Sequence, residues 1–109
     1  MKLETKAHGD ALLITIGDAR LDAACAIQFK DEMQAATSHA PERVVLDMSN
    51  VGFLDSSGLG AVVAVMKLCA PDTRLELAGL TPIVEKVFKL TRMHEVFRIH
   101  PDANTAMAA

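Results

Sequence analysis

Residues Val44-Val45-Leu46-Asp47-Met48 form a short apolar run broken by one acid. It is too short for a helix and has no polar–apolar alternation. Such a run fits a strand in the middle of a sheet covered by helices. The segment after it turns polar, through Ser49-Asn50, and then runs into a long apolar stretch from Leu59. A buried strand feeding a helix is the unit of an α/β domain, and the rest of the chain is read around it.

Upstream, Leu3 and Thr5 alternate as a first edge strand, and Gly9-Asp10 reads as a hairpin turn. Ala11 to Ile16 is a strong strand stopped by Gly17-Asp18. Asp22 is placed to cap a helix running to about Ser38, with Ala26, Phe29, Met33 and Ala36 on one face and Lys30, Asp31 and Gln34 on the other. His39-Ala40-Pro41 ends it. Downstream, Ser49 to Leu54 reads as a loop and Ser56 to Ala70 as a helix. Arg74 to Ala78 alternates as a strand. Thr81 caps a helix to about Thr91, with Pro82 at its first position and Val84, Val87, Phe88 and Thr91 on its buried side. Val96 to Ile99 is a last short strand, and His100-Pro101-Asp102 opens an alanine-rich C-terminal helix. The expectation is one α/β domain over residues 1–109, with a core over about 3–100 and a short helix over about 101–108.

Composition narrows the function classes. The chain has 109 residues, enough for one hydrophobic core but too few for a cofactor domain plus a substrate domain. Its formal net charge is −3 with no basic run, which argues against nucleic acid as a partner. The N-terminal residues carry charge instead of an apolar signal core, and no apolar run approaches a membrane span. Cys25 and Cys69 lie among apolar neighbours and read as free core thiols. The expected setting is the reducing cytoplasm, without membrane insertion.

The segment Asp47 to Gly60 holds the candidate site. It lies at the C-terminal end of the central strand, where α/β sheets place their ligands and partners. Val51, Phe53 and Leu54 should return to the core and present Asp55, Ser56 and Ser57 on a rigid support. The plainer alternative is that Asp55 or Ser56 only caps the helix. In that helix, Leu59, Val62, Val63, Met66 and Cys69 can face the sheet. Gly60, Ala61, Ala64, Val65 and Leu68 then form a second face, small or apolar where a solvated helix carries charge. That face reads as a docking surface, with Gly58 and Gly60 admitting a close backbone approach. Asp18 and Asp22 flank a turn at the same edge, as turn and cap residues or as an acidic rim around the serines.

Other chemistries fit poorly. No phosphate-cradling glycine motif is present, and Gly58-Leu59-Gly60 lies inside the helix start. A serine nucleophile would need a histidine base. His8, His39, His94 and His100 fall at edges and loops and read as surface residues. Neither the histidines nor the cysteines have metal-ligand spacing. The reading is therefore of a chain with no catalytic, metal or cofactor site.

These residues together resemble a STAS domain of the bacterial anti-sigma factor antagonist family. The likeness covers nearly the whole chain: Gly17 through Asp22, Val45 through Ser49, Phe53-Leu54-Asp55-Ser56-Ser57-Gly58-Leu59-Gly60, Leu75 through Leu80, and Val87-Phe88 leading to Val96-Phe97. The resemblance implies a mixed four- to five-stranded sheet with helices packed mainly on one side. It implies partner switching: the unphosphorylated antagonist binds an anti-sigma factor that is also a serine protein kinase of the GHKL type. Phosphorylation turns it off, and a PP2C-type serine phosphatase restores it. The phosphoacceptor falls on Ser57, with Ser56 as fallback, and the partner surface on Asp22, Asp55, Ser56, Ser57, Gly58, Leu59, Ala61 and Val65. A monomer or weak dimer is expected for the free protein. Related domains also serve as accessory subunits of membrane lipid or anion transport systems, and a nucleotide-binding regulatory module is a third reading. The chain departs from the family at Arg92, where many relatives carry glycine, so the preceding helix is expected to end in another way, about a residue later. It departs again at Cys25, where a small polar residue is frequent.

Overall fold

The computed structural model describes residues 1–69 and 71–109. Strands β1 (Leu3–His8) and β2 (Ala11–Ile16) form an antiparallel hairpin turned at Gly9, which takes φ of +60°. A two-residue strand, β3 (Arg20–Leu21), precedes helix α1 (Ala26–Ala36). Then come β4 (Arg43–Asp47), the short β5 (Phe53–Leu54), helix α2 (Ser56–Cys69), β6 (Arg74–Ala78) and helix α3 (Pro82–Leu90). A 3₁₀ turn over Met93–Glu95, strand β7 (Ile99–His100) and helix α4 (Ala103–Ala108) complete the chain.

The main sheet is ordered β1-β2-β4-β6-β7, which puts the apolar Val44–Leu46 run in its centre, as the sequence implies. Only the β1–β2 pair is antiparallel; β2–β4, β4–β6 and β6–β7 are parallel. The parallel crossovers carry α1, α2 and α3 onto one face. There Phe29, Met33, Val62, Val65, Val84 and Phe88 close the core over Ile14, Leu46 and Leu77. On the opposite face, α4 covers Val45 and Ala78 through Ala106.

Several expectations change. Residues 49–54 are not all loop: Phe53–Leu54 pairs in parallel with Arg20–Leu21 as a separate two-stranded sheet. Helix α1 begins at Ala26 and ends at Ala36, so Asp22 is not its cap; Asp22 closes a turn by accepting from Ala24 N–H at 3.1 Å. Thr81 does stand at the N-cap of α3, but its hydroxyl donates to Val51 O at 2.8 Å instead of capping. Thr91 is exposed, and the last strand shrinks from Val96–Ile99 to Ile99–His100. Position 70, the expected end of α2, lies outside the described residues.

His100 is the largest departure among the polar residues. It is buried, 7% exposed, with Nε2 2.8 Å from Oε1 of Glu76, itself 3% exposed. Arg43 donates to the same carboxylate at 2.9 Å and also to the carbonyl of Ala106 on α4. Burial pushes the Glu76 carboxyl up, but Arg43 and His100 outweigh it and leave the group below its ordinary value. His8, His39 and His94 are exposed, as expected. Cys69 is buried, and burial pushes its thiol up.

Candidate functional site

The β3–β5 pair ends beside the start of α2, and one side chain joins the pieces there. Asp55 precedes the helix, and its Oδ1 accepts from Gly58 N–H at 2.8 Å, an N-cap interaction. Its Oδ2 accepts from Ala23 N–H at 3.1 Å, in the turn that follows β3. Asp55 therefore bridges two loops and starts the helix with the same carboxylate. Gly58 shows how tightly they fit: a Cβ there would lie 2.0 Å from the carbonyl oxygen of Leu21. The glycine is required by close approach within the chain, not by a partner.

With Asp55 as the cap, Ser56 and Ser57 occupy the first two helical positions and are both exposed. Their hydroxyls are not used to cap, so the plainer reading of the pair applies to Asp55 alone. The backbone N–H groups of this first turn and the helix dipole make a locale that favours negative charge.

The neighbouring turn carries the second acid. Asp22 Oδ2 accepts from Arg20 Nε at 3.1 Å, and that hydrogen bond, first among its causes, holds the Asp22 carboxyl below its ordinary value. The Arg20 guanidinium carbon lies 4.2 Å from the centre of the Phe53 ring, a cation–π contact across the β3–β5 pair. Sequence reasoning missed this stack, because two-residue strands give no alternation from which to read their pairing. Cys25 lies half-buried in the same turn, with Sγ 3.6 Å from Arg20 O.

The expected partner surface divides in two. Asp22, Asp55, Ser56 and Ser57 come together at one edge, and Leu59 lies beside them, partly buried against the core. Gly58, Ala61 and Val65 do not reach the surface: they are buried within the chain, Gly58 against Leu21 and Leu54. The open side of α2 is instead Ser56, Ser57, Gly60, Lys67 and Leu68, with Ala64 partly open. Phe53, 38% exposed, and Ile27, 71% exposed on the first turn of α1, are the apolar side chains that remain open near this edge. Among the described residues, no three histidine, cysteine or acidic side chains are grouped to hold a metal ion.

The model of the STAS domain matches residues 2–106. The chain belongs to the STAS domain family. Family members are regulatory, non-catalytic domains. BtrV of Bordetella bronchiseptica, provisionally named an anti-sigma factor antagonist, is 31% identical over 92% of this STAS chain and 87% of its own length. The crystal structure of an anti-sigma factor antagonist from Mycobacterium paratuberculosis has a TM-score of 0.87 at 20% identity, over 98% of this chain and 91% of that one. The antagonist SpoIIAA in its unphosphorylated form has a TM-score of 0.77 at 21% identity, over 97% and 93% of the two chains. Its phosphorylated form from Bacillus has a TM-score of 0.71 at 20% identity, over 98% and 97%. The fold alone does not separate functions, since the murine anion transporter Slc26a9 shares it: TM-score 0.81, 18% identity, 94% of this chain and 18% of that one. Among the described residues, no helix is long and apolar enough to cross a membrane.

Proposed function

We propose that this STAS domain is an anti-sigma factor antagonist of a partner-switching pathway, with Ser57 as its phosphoacceptor. The observation that carries the reading is the division of labour at the start of α2. Asp55 caps the helix alone and leaves two adjacent serines exposed on its first turn. The names of BtrV and of the two SpoIIAA forms support the same reading.

In this account the unphosphorylated domain docks on an anti-sigma factor that is also a serine kinase of the GHKL type. The contact uses Asp22, Ser56, Ser57 and the open side of α2, with Phe53 and Ile27 as apolar anchors. Phosphate on Ser57 adds about −1.5 to −2 charges and three acceptor oxygens. The free N–H groups of the helix start tolerate that charge within the domain. At the interface it crowds Asp22 and Asp55 and separates the apolar surfaces, so the partner is released. A PP2C-type phosphatase resets the domain.

The test is recovery of the wild-type protein, Ser57→Ala and Ser56→Ala from native cells, followed by intact-mass measurement and site mapping. Phosphate on the wild type and Ser56→Ala but absent from Ser57→Ala is the expected result. Phosphate lost only from Ser56→Ala moves the acceptor by one residue. An equal phosphate load in all three forms removes the serines from the mechanism.

A further inference from the structure

Strand β7 covers only part of β6. Ile99 and His100 pair with Leu77 and Ala78, whereas β6 begins at Arg74. Backbone alternation identifies the groups left at the uncovered edge. Arg74 N–H donates to Glu42 O on the β4 side, and Leu77 N–H donates to Arg98 O on the β7 side. Leu75, next to Arg74 and two residues from Leu77, therefore turns its N–H and C=O to the uncovered edge. That edge is the floor of an open cleft of about 290 Å³.

The cleft has two chemistries. Met66, Leu75 and Val96 give it an apolar side, and Val96 is 50% exposed. Arg74 and Arg98 give it a basic side, beside the buried Glu76, which also lines it. Phe97 is in the main core, whereas Arg98, one residue on, is exposed and lines the cleft. Arg74 lies 3.8 Å from Glu76, an acid already engaged by Arg43 and His100. Among the described residues Arg98 pairs with no carboxylate. In a chain of net charge −3, this is a local concentration of positive charge beside an unpaired strand edge.

We propose that the β6 edge docks an extended acidic segment of a partner protein by strand addition. Its backbone pairs with Leu75, its apolar residues face Met66 and Val96, and alternating acidic residues face Arg74 and Arg98. Arg74 pairs with Arg43 at the start of β4, whereas the serines follow that strand's far end, so the two surfaces lie at opposite ends of the sheet. The proposal is independent of the phosphoserine reading.

A titration of the full ¹⁵N-labelled chain tests it, with a short capped peptide of alternating valine and glutamate as the probe and its valine–lysine counterpart as the control. The expected result is amide shifts at residues 73–76 and 96–98 with the acidic peptide only. Arg98→Glu should weaken binding roughly tenfold or more while leaving the remaining amide spectrum unchanged. The proposal is overturned by no shifts with the acidic peptide, equal shifts with the lysine peptide, shifts centred on residues 53–60, or unchanged binding by Arg98→Glu. Saturable shifts of the same residues by acetate at matched carboxylate concentration also overturn it, in favour of a small-anion site.

Discussion

Arg92 holds φ of 61° and ψ of 15°, the left-handed conformation that glycine adopts without cost. It follows the C-cap Thr91 and donates its N–H to Lys89 O at 3.1 Å, so a non-glycine residue closes α3. The helix does not find another ending a residue later; Arg92 itself takes the strained geometry. Arg92→Gly is expected to stabilise the domain by about 1 kcal/mol, offset in part by the freer unfolded chain. Urea unfolding should show a higher midpoint at unchanged slope. Gly58→Ala is expected to do the reverse, because the new methyl group collides with the Leu21 carbonyl. A loss of about 3 kcal/mol in the same assay is anticipated, and a neutral result would mean that the β3–α2 contact yields easily.

At the scale of elements, the strands of the main sheet other than β7 and the order of the helices are legible because their patterns are long. Ala11 to Ile16 and Arg74 to Ala78 each carry enough residues to show their period. Strands β3 and β5 have two residues each, and nothing in such a length distinguishes a strand from a loop. Helix α2 is small or apolar all round, so a helical wheel has no polar face to orient it. Ala61 and Val65 therefore read as outward-facing, although both are buried. His100 reads as a surface residue because its partners, Glu76 and Arg43, come from other strands. Those three groups fasten α4 to the sheet and give the element a pH dependence. The folded Glu76 carboxyl lies below its ordinary 4.5. Its stabilisation is thus complete above about that pH and lost as pH falls through the lower folded value. Glu76→Gln is expected to cost about 3 kcal/mol at neutral pH and to flatten the acid limb of the stability profile. Thermal unfolding of both forms across the acid range measures this; parallel profiles would assign the acid limb to other carboxylates.

For the whole molecule, the proposed switch predicts a change of surface without a change of fold. Phosphorylated and unphosphorylated protein should differ in amide shifts around residues 18–24 and 53–62. Shifts spread through β1, β2, β4 and β6 would instead indicate a rearranged sheet and contradict the tolerance argued for the helix start. The Asp55 carboxylate has a consequence for quality control. It joins Ala23 to Gly58, stretches of chain brought together where β3 pairs with β5. A copy in which β3 and β5 failed to pair would lose the support of the serine display while much of its apolar core remained. A kinase that reads this surface would thereby ignore defective copies, so the regulatory mark would also certify that the molecule had finished folding.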